Sequence, residues 1–228
     1  MKLFERNFDK PGDGIDPDAL PKEGVKRFFE ILVLEYRQII PLSLLYTVSC
    51  LPVLTIPAAT AALSRITLSM VEDKPRFLVH DFFRTFWKEF KRAELLGGFF
   101  LLAILVTGFG AWFYRLSSGE NPILLFPFFL MAITSLLLIA ASFYAYPMLV
   151  LTRLPLKVIF RNSGRLLLVK GSGVRILSVF FIEGMLCFCG LLFVPWTLFL
   201  FPFGFFGLQG LVGSFGVYKM LKAYVLIE

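Results

Sequence analysis

The chain has 228 residues, of which 57% are hydrophobic and 17% charged, with 28 Phe and a formal net charge of +7. Soluble domains run nearer half apolar and a quarter charged, so composition excludes a water-soluble globular domain. Four stretches, 38–64, 95–114, 122–152 and 184–218, carry no charge at all. Each is long enough to cross a hydrocarbon core of about 30 Å as a helix, and none has the polar outer face that a soluble core helix needs.

The first residues, "MKLFERNFDKPGDGIDPDALPKEG", are polar and rich in Pro, Gly and acid. They lack the apolar core of a cleavable signal and predict a loosely ordered tail over 1–30. A single transmembrane domain is expected over 31–228. Its first span covers about 38–58 and continues as helix through "AATAALSRITLSMV", with Arg65 as a snorkelling cation at its end.

"DFFRTFWKEFKR" follows. On a helix, Phe82, Phe83, Phe86, Trp87 and Phe90 fall within an arc of about 140°, opposite Arg84, Lys88, Lys91 and Arg92. Rings against cations describe an amphipathic helix lying in the membrane interface over about 81–93. Binding of single-stranded nucleic acid would need those rings in solvent, so it is set aside.

Spans over about 95–114 and 122–151 come next, the second long enough to require tilt. Residues 154–170 repeat the amphipathic pattern. Lys157, Arg161 and Arg165 form an i, i+4, i+8 stripe, away from Leu156, Ile159, Phe160, Leu166 and Leu167. "FRTF" at 83 and "FRNS" at 160 suggest a weak parallel repeat of span, cytoplasmic helix, span.

Two further spans are expected at about 176–196 and 203–221. The former holds Glu183, a candidate intramembrane polar site, because acids at such depth face a bundle or a wet cavity. The latter holds Gly204, Gly207, Gly210, Gly213 and Gly216 at intervals of three, with Gln209 among them. Two readings are open for these glycines: a close-packing seam or a broken segment lining a cavity.

Residues 65–92 carry seven Lys and Arg and 153–175 carry six, whereas the other connections carry one or none. Both basic segments are therefore expected in the cytoplasm, with the C-terminus, and the tail outside if the first span crosses. Cys50, Cys187 and Cys189 lie in apolar sequence and are expected to be inert thiols. His80 is the only histidine, and no catalytic, phosphate-loop or metal motif is present.

"FFEILVLEYRQIIPLSLLYTVSCLPVLTIPAATAAL", "MVEDKP" and "DFFRTFWKEFKRA" together resemble the YesL family of bacterial integral membrane proteins, a domain of unknown function. The specific part is the turn around Pro52 and Thr55 with Thr60 after it. The sequence departs from the family pattern at Ser43, Pro57 and Glu89, where the family tends to have Asn, Gly and Asn. Members are typically encoded beside carbohydrate importers of the ATP-binding-cassette type. The resemblance therefore implies an accessory role, with permease subunits as partners.

The expected fold is all-α: a polytopic membrane bundle of five spans with two cytoplasmic interfacial helices, in a bacterial plasma membrane. The expected function is a non-catalytic accessory or regulatory component, without cofactor or metal, contacting the lipid bilayer and an importer. The alternative is a small transporter or lipid-handling protein using Glu183 and the glycine-rich last span.

Overall fold

The computed structural model describes residues 24–119, 121–169, 178–179, 182, 184–185 and 204–224. Among these, the regular structure is helical: α1 (Val25–Ser49), α2 (Ile56–Val71), α3 (Leu78–Ser117), α4 (Leu125–Leu151), α5 (Leu156–Leu167) and α6 (Phe205–Tyr224). α1, α3 and α4 are long and apolar enough to cross a membrane, and so is α2 with the short 3-10 turn before it. The all-α membrane architecture is as expected from composition. Contacts divide the chain into two units, 1–34 and 35–228. In the first, Arg27 pairs with Glu30 at 3.0 Å, one turn along α1. The second holds the rest of α1 and all the later helices.

The span expected over 38–58 is two helices. Pro52 cannot continue α1 and also biases Leu51 away from helical geometry. The Thr55 hydroxyl then donates to the carbonyls of Ser49 at 2.5 Å and Pro52 at 2.6 Å, closing the turn. Pro57, at the start of α2, suits a first turn whose N–H groups have no helical partner. The returning helix brings Thr60 to the Tyr46 hydroxyl, 3.3 Å away, and Arg76 to Gln38, 3.0 Å away. Residues 35–71 are thus a helical hairpin.

α2 ends in a close C-terminal motif. Asp73 adopts φ +53°, Lys74 N–H donates to Ser69 O at 3.0 Å, and Asp73 N–H to Met70 O at 3.3 Å. After the short connection, Asp81 accepts from Phe77 N–H at 2.8 Å and starts α3.

α3 corrects a second expectation. The interfacial helix over 81–93 and the span over 95–114 are one helix of 40 residues, about 60 Å long. No proline interrupts it, so the aromatic stretch is the first part of a spanning helix and does not stand apart as a flat one. α5, by contrast, is a separate short helix after the break at 152–155, as expected. It buries Ile159, Ser163 and Leu166 on one face and exposes Lys157, Arg161 and Arg165 on the other. The suggested repeat therefore fails in its first copy. Most of the span expected at 176–196 lies outside the described residues; α6 occupies the place of the last expected span but is not among the helices long and apolar enough to cross a membrane.

Register is the main surprise. Ala58 N–H donates to the Glu94 carboxylate, and Gly97 lies against Pro57 and the Tyr146 hydroxyl. α2 thus runs antiparallel to residues 81–97 and lies beside only the first residues of the uncharged part of α3. Beyond Gly97, α3 continues paired with α4, and a Cβ on Gly110 would lie 3.5 Å from Met131 Sδ. This pair exposes Phe109, Trp112, Phe126, Phe129, Ile133 and Leu137. Its outward faces are apolar over the thickness of a hydrocarbon core. Phe160 of α5 packs on Phe99 and Phe100, at ring-centroid distances of 4.5 and 5.4 Å.

α6 runs parallel to α2. Phe206 meets Tyr46 with centroids 5.1 Å apart, the Ser214 and Thr67 hydroxyls bond at 2.6 Å, and Tyr218 lies against Glu72. Lys219 and Lys222 consequently share the end of the molecule that carries Lys74 and Arg76.

Candidate functional site

The five rings of the 81–93 stretch do not share one environment. Phe82 is fully buried (0% exposed) and Phe86 nearly so (6%), whereas Phe83 (41%) and Trp87 (69%) are exposed. Phe90 is half-buried. The buried pair anchors α3 in the protein, while the rings still form a connected cluster: Phe82 to Phe83 at 5.6 Å, Phe86 to Trp87 at 5.2 Å, Trp87 to Phe90 at 6.1 Å. Offset and edge-on contacts of this kind stiffen the exposed members. Arg84, Lys88 and Lys91 are exposed beside them. Together they form a rigid surface strip of two rings and three cations, narrower than the five-ring face expected.

Glu89, at one of the departures from the family pattern, is buried on the inner side of this strip. Arg92 binds it at 2.8 Å and also donates to the Leu154 carbonyl at 2.6 Å. A charge-assisted pair thereby ties the strip to the start of α5.

The other two departures are also packing contacts. Pro57 forms the α2 side of the Gly97 contact. The Ser43 hydroxyl, fully buried, accepts from Gly207 N–H at 2.7 Å. Gly207 lies in the first turn of α6, where N–H groups have no helical acceptor, so a neighbouring helix supplies the cap. Ser43→Ala is expected to cost about 0.5–2 kcal/mol, the range for losing a helix cap. Differential scanning of detergent-purified protein reads this; an unchanged midpoint would show that water replaces the hydroxyl.

The glycines divide between the two readings left open. A Cβ on Gly207 would come within 2.7 Å of Ile39 O and Ser43 Oγ, and one on Gly210 within 2.9 Å of Leu63. A Cβ on Gly216 would collide with Val179, while Gly204 has nothing within 4 Å. Gly213 is buried. α6 is a continuous helix and not a broken segment, so the close-packing reading holds at Gly207, Gly210 and Gly216.

Gln209 lines a cavity of about 230 Å³ with Tyr46, Thr60, Ser142, Tyr146 and Ser214. Among the described residues its lining is hydroxyl-rich and carries no charge. Glu183, the expected polar site, lies outside the described residues. A carboxylate that the structure does place between helices is Glu94, one residue before the uncharged stretch. It accepts from Ala58 N–H at the start of α2, and its Oε1 is buried with no hydrogen-bond partner among the described residues. A position just outside an apolar run carried no signal of burial in the sequence.

Arg76 gave no such signal either. Its side chain is 6% exposed, and it pairs with Glu35, 18% exposed, across the base of the hairpin. It donates further to Gln38, to Ser69 O at 3.3 Å and to Lys74 O at 3.1 Å. Read linearly, it is one of seven basic residues in a connection. Cys50 is half-buried at the hairpin turn, and burial pushes its thiol above the ordinary value, which disfavours the reactive thiolate.

A family described as "Protein of unknown function, DUF624" matches residues 40–110. The match runs from the second half of α1 through α2 and into α3, the region that carries the sequence resemblance. It relates that region to proteins of uncharacterised function and goes no further. No curated protein and no solved structure matches the chain.

Proposed function

We propose that this protein is a non-catalytic accessory component that packs against another membrane complex through the Phe83–Trp87 strip of α3. One observation carries the reading: two exposed rings, stiffened by buried ones, stand on a helix that has already left its uncharged stretch. Trp87 is eight residues and Phe83 twelve before Leu95, or about 12 and 18 Å along the axis. Headgroup layers extend only about 5–8 Å beyond each side of the hydrocarbon. A strip at that height favours a protein partner over lipid, and exposed aromatic residues flanked by basic ones suit an interface core. The positive-inside bias supports a cytoplasmic position for this end in a bacterial plasma membrane. The resemblance drawn from the sequence points to a carbohydrate importer's permease subunits as the partner.

The test is co-purification from native membrane. Trp87→Asp and Phe83→Asp should abolish recovery of importer permease subunits, yet leave the unfolding midpoint within about 0.5 kcal/mol of the parent, as is usual for surface changes. Undiminished recovery with the double variant would remove the strip from the interface.

A second reading, handling of a small solute, has the hydroxyl-lined cavity around Gln209 in its favour. No charged group among the described residues lines that cavity, so the cargo this lining suits is a neutral polar molecule.

A further inference from the structure

At the end of the molecule where α2 gives way to α3 lies a second cavity, of about 290 Å³. Its wall carries five cationic side chains, Arg65, Lys74, Arg76, Arg84 and Lys88, against two carboxylates, Asp81 and Glu89. Most of these charges are already satisfied. Arg76 is held by Glu35 and Lys74 by Glu72, at 2.9 Å for the latter. Glu89 is taken by Arg92, with Lys88 at 3.9 Å, and Asp81 caps Phe77 N–H and faces His80.

Two guanidinium groups are left over. Among the described residues, neither Arg65 nor Arg84 has a carboxylate within ion-pair distance. Arg84 is exposed on its outer side. Arg65 is half-buried in the middle of α2, far from the helix end where a snorkelling cation was expected. A partly desolvated cation without a counter-charge is unfavourable unless an anion completes it. Guanidinium groups lining one concave wall suit phosphate, whose oxygens accept paired N–H donors. The Thr85 hydroxyl on the same wall is a further donor.

We infer that this cavity is a phosphate-binding site, with Arg65 and Arg84 as the ligands to the anion. At about 290 Å³ it lies at the small end of ligand cavities, roughly 300–1,000 Å³, so it takes a phosphate with a short polar substituent. That chemistry can come from an anionic phospholipid headgroup or from a soluble phosphate. The phosphate site shares Arg84 and Lys88 with the docking strip; Arg65 belongs to the phosphate site alone and Trp87 to the strip alone, so variants at those two positions let either fail without the other.

The experiment has two arms on the full-length protein. In the first, equilibrium dialysis of detergent-purified protein measures binding of inorganic phosphate. In the second, the protein is reconstituted in nanodiscs of phosphatidylglycerol and phosphatidylcholine, and native mass spectrometry counts the retained phosphatidylglycerol. Saturable binding in the first arm identifies a soluble ligand; selective retention in the second identifies lipid. In whichever arm is positive, R65Q and R84Q should each weaken binding by about tenfold, the scale of one charge-assisted hydrogen bond. K222Q, which removes an exposed cation at the same end, should leave it unchanged. R84Q alters an exposed side chain and keeps the fold, so a loss there cannot be ascribed to unfolding. Binding in neither arm, or equal binding by parent and R65Q/R84Q protein, overturns the site. So does an equal loss in K222Q, which would reduce the effect to general surface charge.

Discussion

Replacing Arg76 by Met should destabilise the protein by about 3–5 kcal/mol, a larger loss than a cap or a surface contact can cause. Met replaces the aliphatic stem of Arg and packs where that stem packed, but leaves the Glu35 carboxylate, Gln38 and the Ser69 carbonyl without their shared donor. Removing one partner of a buried pair costs more than the pair contributes, because the remaining charge stays desolvated. For a chain of this size the unfolding midpoint in detergent should fall by on the order of 10 °C. Arg76→Lys should not recover it, since a single ammonium cannot donate to Glu35, Gln38 and two carbonyls at once. Converting Glu35 to Gln in the Arg76→Met background should return part of the loss. An Arg76→Met protein that melts like the parent would mean that water, and not the guanidinium, satisfies Glu35.

The second large effect separates two adjacent glycines. A Cβ at Gly97 would sit 2.5 Å from Pro57 Cβ, 2.6 Å from Pro57 Cγ and 2.7 Å from the Tyr146 hydroxyl oxygen, whereas Gly98 has nothing within 4 Å. Proline is a rigid neighbour and cannot turn aside. Gly97→Ala should therefore cost about 1–3 kcal/mol, the range for overpacking, and Gly97→Leu more. Gly98→Ala removes a flexible residue from a helix interior at no steric cost and should stabilise by up to about 1 kcal/mol. Thermal unfolding of the two Ala variants side by side checks this: the midpoints should move in opposite directions. A Gly97→Ala protein as stable as Gly98→Ala would show that α2, α3 and α4 do not meet closely at this point.

Both residues bear on the candidate sites. Arg76 fixes the base of the hairpin beside the phosphate-site wall, and Gly97 sets how far α3 slides along α2. A shift at Gly97 would carry Arg84 and Trp87 with it, because all three share one uninterrupted helix.

Much of this was legible in the sequence. Uncharged runs of helical length determine by themselves that the chain is all-α and membrane-associated, because a backbone in hydrocarbon must bond within its own segment. The i, i+4, i+8 spacing of Lys157, Arg161 and Arg165 likewise determined the exposed stripe of α5. Pro52 and Thr55 announced a turn, although not that the chain would double back there.

What only the tertiary structure decided was register. Hydropathy states that a segment must leave water, but not which neighbour it lies beside or at what height. That choice belongs to short-range contacts between residues far apart in the chain: Pro57 with Gly97, Ser43 with Gly207, Arg76 with Glu35. It is why residues 81–94 continue straight into a span, why two of their rings are buried and two are free, and why Arg65 faces a cavity.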